Sequence, residues 1–176
     1  MRAGLALIAV LALCVTPAVA QGKTKAPPQP GALAALEVCE LFAAGAPDAV
    51  KQAEAMNWEV VPGDPETPWV TSTNLYRHLP GLGYVEGVIL MEDYPGLDFG
   101  YCRIDVFEVE GEADVALIDD LPRWQGAIKT DASGTFGSWK GAGEDDQRLL
   151  LSHEDEYSFV LQLTVMRPKA DEAGEG

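Results

Sequence analysis

The stretch from Tyr84 to Val109 reads YVEGVILMEDYPGLDFGYCRIDVFEV, and its pattern decides the fold. Two runs rich in β-forming residues, 84–91 and 99–109, flank Pro95-Gly96, an order typical of a type II turn. We therefore predict an antiparallel hairpin. Successive side chains of a strand point to opposite faces of a sheet, so the second run divides into two sets. One set is Cys102, Ile104 and Val106, and the other is Tyr101, Arg103, Asp105 and Phe107.

Upstream of this hairpin, the spacing of small and apolar residues predicts two helices. Six residues at helical spacing share one face: Ala32, Ala35, Leu36, Cys39, Phe42 and Ala43. Gly45 ends the first helix, and a second begins after Pro47-Asp48 and runs to Asn57. We expect the two helices to form a helical hairpin that directs Cys39 toward the core.

The remaining chain is predicted to be mostly β-structure. A short strand is expected at 58–61, whereas 69–79 is ambiguous between a strand and irregular structure. Residues 112–121 are expected to form a short helix that ends at Pro122. Further strands are expected at 134–140, 147–152 and 158–167. Runs of strands predict an α+β fold, in which the N-terminal helical hairpin and the further short helix pack on one face of an antiparallel sheet.

The N-terminus has the features of a secretory signal peptide. Arg2 precedes an uninterrupted apolar run, and Ala18-Val19-Ala20 forms a small-x-small cleavage site before Gln21. We therefore expect a periplasmic or secreted protein without a membrane span after cleavage. Two alternatives stay open: an uncut membrane anchor over residues 3–22, and a lipoprotein that uses Cys14.

Four segments follow from this interpretation. The signal peptide covers residues 1–20, and a flexible linker rich in Pro and Gly covers 21–31. A single α+β domain is expected over 32–167. An acidic, disordered tail is expected over 168–176.

Export would leave two cysteines, Cys39 and Cys102, in the mature chain. An even number of cysteines in an oxidising compartment predicts one disulfide, and both residues lie on faces predicted to point inward. A redox or nucleophilic thiol is not favoured, because the chain has no Cys-x-x-Cys motif and neither histidine is near a cysteine in sequence.

Composition and charge limit the class of partner. The chain has 28 acidic and 12 basic residues, a formal net charge of −16. Phosphate binding requires clustered cations, so a nucleic-acid partner is not expected. The hydrophobic fraction of 47% is that of a globular protein rather than a disordered chain.

The sequence contains no motif that assigns a cofactor or a metal. His78 and His153 are far apart in sequence, and the cysteines are expected to be oxidised, so a metal site is not predicted. Ser138 lacks the glycine two residues before the serine that a nucleophile elbow needs. Gly81-Leu82-Gly83 precedes a strand instead of joining a strand to a helix, so it is not a dinucleotide loop. The acidic clusters lack calcium-loop spacing and are interpreted as solvated turns.

Four features resemble a set of small exported bacterial envelope proteins of unknown function. They are a cysteine in the first helix, a second helix ending at Asn57-Trp58, a central Tyr101-Cys102-Arg103 strand and a last strand ending at Met166-Arg167-Pro168. The resemblance implies an α+β fold and a disulfide, and it implies no activity. The start of the segment Ser133-Gly134-Thr135-Phe136-Gly137 also resembles an inhibitory loop of small envelope inhibitors of lysozyme. That loop ends in Tyr, whereas this chain has Gly at the same position.

Two classes of function follow. The first is a non-enzymatic exported binding protein of the cell envelope, in the form of an inhibitor or immunity-type partner of a cationic protein. Its contact residues would be Tyr101, Arg103 and Phe107, because aromatic and Arg side chains are enriched at binding hot spots. A basic protein or a small apolar ligand would be the partner, unless the 58–79 segment covers this face. The second class is a hydrolase with an unrecognised site that uses Asp or Glu with His78.

Overall fold

The structure is a computed structural model that describes residues 29–64, 67–143 and 145–169. The predicted signal peptide, most of the predicted linker and most of the predicted tail lie outside the described residues. No helix in these ranges is long and apolar enough to cross a membrane.

Eight strands form one antiparallel sheet in the order β1-β2-β3-β4-β8-β7-β6-β5. They are β1 Glu59–Pro62, β2 Val70–Leu79, β3 Gly83–Tyr94, β4 Leu97–Val106, β5 Trp124–Asp131, β6 Gly134–Ala142, β7 Gln147–Glu154 and β8 Phe159–Pro168. Two four-stranded meanders are thus joined side by side through the pairing of β4 with β8. The chain passes between the meanders in a crossover that contains a one-turn 3-10 helix, Val115–Ile118.

The predicted hairpin is present as β3 and β4. Tyr94 pairs with Leu97 across the turn, where Gly96 has a φ of +77°, a conformation that favours glycine. The second strand is shorter than expected, because it ends at Val106 rather than Val109. Phe107 therefore lies one residue past the strand instead of within it.

Two helices pack on one face of the sheet: α1, Gly31–Ala43, and α2, Ala49–Ala55. All six residues predicted to share a face of α1 are buried, so that prediction is confirmed. The structure does not show the N-terminal helical hairpin. The second helix has only seven residues and ends before Asn57, whose φ of 65° is left-handed, and it packs against β1 as well as α1.

The structure also decides one open segment, adds one strand and corrects one expected helix. The ambiguous segment 69–79 contains the full strand β2. A strand at 124–131 was not expected, because β5 is an edge strand in which Trp124 is the one buried residue and the apolar alternation is missing. The predicted helix over 112–121 is a single 3-10 turn, since left-handed Asp114 precedes it and Pro122 closes the segment.

One face of the sheet, here termed the covered face, carries Cys102, Ile104 and Leu163 and packs against α1 and the crossover. Its residues form a single apolar core. Cys39 of α1 is bonded to Cys102 of β4 with a Cα–Cα distance of 5.3 Å, within the range that a disulfide requires. The close approach of the helix also depends on Gly100, because a Cβ there would collide with the carbonyl of Ala43.

Candidate functional site

The opposite face carries Tyr101, Arg103 and Gln162 and is termed the open face. In the part of the chain that the structure describes, neither α-helix packs on it, because both lie on the covered face. The segment 58–79, which could have covered these residues, contributes β1 and β2 to the same sheet instead. Strand residues of the open face are therefore half-buried or exposed, since among the described residues their neighbours in the sheet provide the cover.

The structure separates the three residues predicted to make contacts. Tyr101 and Arg103 are half-buried in the middle of the open face, whereas the side chain of Phe107 is 72% exposed past the end of β4. Tyr101 donates a hydrogen bond to Oε1 of Gln162 at 3.3 Å. The Arg103 guanidinium donates two bonds of 2.8 Å to the carboxylate of Asp105. These hydrogen bonds raise the pKa of Arg103 and fix the direction in which its side chain lies on the sheet.

Phe107 instead belongs to a groove at the crossover end, the end of the sheet where β3 begins and β4 finishes. The groove has a volume of about 220 Å³, and we call it the crossover groove. Its lining residues are Tyr84, Glu86, Asp105, Phe107, Glu108 and Glu110. A second depression of about 210 Å³ shares Glu86, Asp105 and Phe107 with it and extends to Tyr76.

Strand register explains why acidic and aromatic side chains meet there. Glu86 of β3 lies directly opposite Tyr76 on one side and Asp105 on the other. Glu59 of β1 in turn lies opposite Tyr76. Residues directly opposite in an antiparallel pair have Cβ atoms about 4.5–5.5 Å apart, so these side chains form one row across the open face. Desolvation, followed by the negative charge of Glu86 and Glu59, raises the pKa of Tyr84.

The carboxylates of the crossover groove differ in their partners. Asp105 binds Arg103, and Oε1 of Glu110 lies 3.3 Å from Nε2 of His78. Glu86 and Glu108 form no ion pair with any basic side chain in the described ranges. The groove thus combines apolar rings with negative charge that the neighbouring residues leave uncompensated.

A hydrolase that used His78 with a carboxylate would depend on the contact between His78 and Glu110. Both side chains are more than half exposed, at 63% and 59%, and His78 does not line the crossover groove. A general base works best with a third group that orients it and a pocket that excludes water. Within residues 29–64, 67–143 and 145–169, no three His, Cys, Asp or Glu side chains are grouped as a metal ion requires.

The second meander gives the open face a different character. Its exposed apolar side chains are Phe136, Leu149, Leu151 and Met166. The ring of Phe136 packs against the imidazole of His153 with centroids 4.5 Å apart. Basic residues, Lys129 and Lys140, occupy open-face positions opposite Phe136 and Leu149. The acidic and aromatic character of the open face is therefore concentrated in the first meander.

Tyr84 and Glu86 were missed as candidate site residues, although the sequence contained the signal. A tight turn at Pro95-Gly96 fixes the register of the hairpin, and counting outward from it places Glu86 opposite Asp105. Alternation in β3 then places Tyr84 on the same face as Glu86. The register, rather than any motif, identifies the groove.

Comparison with protein-family models finds no match, and searches of curated proteins and of solved structures also find no significant match.

Proposed function

We propose that the protein is a non-enzymatic exported binding protein of the cell envelope that acts as an inhibitor or immunity-type partner of a cationic protein. The observation that carries this proposal is the open face of the eight-stranded sheet, on which no helix of the described residues packs. Exposed apolar patches of this kind mark interaction sites. The exposed large apolar side chains on this face and at its crossover end are Val61, Tyr84, Tyr94, Phe107, Phe136, Leu149, Leu151 and Met166.

Charge supports a cationic partner. Removal of residues 1–20 takes away one basic residue, Arg2, and changes the balance from 12 − 28 to 11 − 28, or −17. A strongly acidic surface steers basic proteins toward it and raises the rate of association. The uncompensated carboxylates of Glu86 and Glu108 concentrate that charge at one end of the open face.

The geometry of Tyr101 and Arg103 supports a role in contact. Each side chain is held by a neighbour, Tyr101 by Gln162 and Arg103 by Asp105, so less side-chain entropy is lost when a partner binds. Both are partly exposed, and both are residue types that contribute strongly at hot spots. A partner that packed on this face would cover them together with Phe107.

Two features support export. The first is the signal-peptide pattern before Gln21, and the second is the disulfide, since such bonds persist in oxidising compartments. Intact mass of the protein recovered from periplasm or medium tests the point. A chain that begins at Gln21 is expected, whereas a chain that retains residues 1–20, or one with a lipid on Cys14, would contradict it.

Affinity capture from envelope extract tests the binding role. The exported protein is immobilised and compared with a Tyr101→Ala/Phe107→Ala double variant at low and high salt. We expect a basic protein that the wild type retains, that salt releases, and that the double variant loses. Retention of no basic protein, or equal retention by both baits, would overturn the proposal.

A hydrolase is the second candidate, and the contact between His78 and Glu110 is the observation that favours it. The test is a screen of the purified protein with ester, amide and glycoside substrates, followed by His78→Gln. Turnover that this substitution abolishes would favour the enzyme over the binding protein. Absence of turnover, or turnover unchanged by the substitution, would exclude a role for His78.

A further inference from the structure

We propose that the crossover groove is the subsite that holds a Lys or Arg side chain of the partner, presented on an exposed basic segment of that protein. This inference rests on the proposed binding function and deepens it by naming the position and the chemistry of contact. It is drawn from the rings of Tyr84 and Phe107, the carboxylates between them and the shape of the groove.

The aromatic rings provide the apolar part of the subsite. Phe107 is 72% exposed and Tyr84 is 56% exposed, although both are large apolar side chains. Tyr76 stacks beside Tyr84 with ring centroids 6.4 Å apart and an angle of 17° between the rings. Long basic side chains bury their methylene stems against such surfaces and place their cations over ring faces. The molecule already shows this contact on its other side, where the Arg77 guanidinium lies 5.6 Å from the Trp58 ring centroid.

The carboxylates select the charge of the occupant. Glu86 and Glu108 line the groove without a basic partner among the described residues, whereas Asp105 and Glu110 have one each. An incoming ammonium or guanidinium would form charge-assisted hydrogen bonds with the two free carboxylates. An acidic or neutral apolar occupant would leave them uncompensated beside it, so charge complementarity favours a cation.

The size of the groove favours one side chain over a small-molecule ligand. Pockets that bind small molecules usually measure about 300–1,000 Å³ and enclose most of the ligand. The crossover groove measures about 220 Å³ and opens along the surface. It also continues into the depression near Tyr76, which gives a flanking residue of an extended segment a place to lie.

The first experiment locates binding with a defined probe. A Lys-containing peptide is titrated into ¹⁵N-labelled protein at low salt, with the same peptide carrying acetyl-lysine as the matched ligand control. We expect saturable shifts of the amides of 83–87 and 105–110 with the first peptide and none with the second. Shifts that are diffuse over other acidic segments, equal for both peptides or not saturable would overturn the proposal.

Variants then identify the groups involved. Phe107→Ala and Glu86→Gln are each expected to weaken binding of the Lys peptide by about tenfold, the size of one desolvated aromatic or charged contact. Their matched controls are Trp69→Ala, an exposed aromatic residue just before β2 at the other end of the sheet, and Glu54→Gln, an exposed acid of α2. Both controls should bind within about twofold of the wild type. Equal losses in controls and groove variants would mean that general charge, not the groove, binds the peptide.

A third comparison separates this inference from the function on which it rests. If a basic protein is captured but Tyr84→Ala and Glu86→Gln still retain it, the binding function stands and the subsite is wrong. If the Lys peptide binds in the groove but no basic protein is captured, the subsite stands and the proposed function fails. Tighter peptide binding by a Lys23→Gln/Lys25→Gln variant would show that the chain's own N-terminal segment is the occupant, which overturns the assignment to a partner.

Discussion

The covered face and the open face are built by the same strands, and yet their side chains are used differently. In β7, Leu150 is fully buried on the covered face, whereas its neighbour Leu151 is 37% exposed on the open face. One charged group near the covered face is well paired: Glu40 of α1 accepts hydrogen bonds from Arg123 and from the indole of Trp124. Glu86 on the open face has no such partner in the described ranges. Stability should therefore depend on the covered face, and recognition on the open face.

The disulfide should show the largest effect. A Cys39→Ser/Cys102→Ser variant removes a cross-link between residues separated by 63 positions. Because the cross-link lowers the entropy of the unfolded chain, a loop of this length contributes roughly 4 kcal/mol to the unfolding free energy. Urea denaturation should therefore show a loss of stability of that order. Wild type unfolded in the presence of a reductant is the control and should match the variant. A loss below about 1 kcal/mol would mean that α1 is held to the sheet by packing alone.

Leu150 and Leu151 form the sharpest matched pair, because they are adjacent in β7 and point to opposite faces. Leu150→Ala should cost about 2–5 kcal/mol of unfolding free energy through lost burial and the cavity left behind. Leu151→Ala should cost less than about 1 kcal/mol, since surface substitutions usually have small effects. Equal costs would show that a second layer covers the open face.

Period-two and helical patterns were enough to predict the centre of the covered face. The helix α1, the β3–β4 hairpin and the inward direction of both cysteines follow from local spacing, because each element buries one regular stripe of apolar residues. The strand β5 could not be predicted in this way. Its edge position leaves Gln125, Ala127 and Lys129 exposed on the open face, and Gly126 faces the indole of Trp139, so no apolar alternation remains.

The candidate site was predicted only in part, for a different physical reason. Tyr101 and Arg103 are adjacent on one face of one strand, so their alternation identifies them. The crossover groove combines side chains from β3, β4 and the chain beyond β4, so it can be predicted only by counting the register outward from the turn at Pro95-Gly96. The register of the hairpin places Glu86 opposite Asp105, and Phe107, one residue past the end of β4, joins Tyr84 at the crossover end.

The pair of Asp146 and Arg148 should make stability depend on acid pH. The hydrogen bond from Arg148 lowers the pKa of the Asp146 carboxyl below its ordinary value, which is about 3.9 in an unfolded chain. A lowered folded-state pKa stabilises the protein above that value, and the contribution is lost as pH falls through the folded-state pKa. Asp146→Asn should therefore cost about 1–2 kcal/mol near pH 7, and the difference from wild type should shrink below about pH 4.

Asp145→Asn is the control for this measurement, because Asp145 is exposed and forms no ion pair within the described part of the chain. Urea denaturation at several pH values between about 3 and 7 should give parallel curves for Asp145→Asn and wild type. A difference between Asp146→Asn and wild type that stayed constant over this range would show that the charge of Asp146 does not act through Arg148.

The smallest expected effect on stability belongs to Phe107. Its ring is 72% exposed and lies past the end of β4, so Phe107→Ala removes little buried surface and should change the unfolding free energy by less than about 0.5 kcal/mol. An exposed aromatic ring that adds little to stability and lines a groove with Tyr84 is available for contact with a partner. Urea denaturation of Phe107→Ala beside Phe159→Ala, whose ring is fully buried on the covered face, measures the contrast. Phe159→Ala should cost about 3–5 kcal/mol. A cost above about 1.5 kcal/mol for Phe107→Ala would place its ring against another part of the chain, and the crossover groove would then not be free to receive a partner.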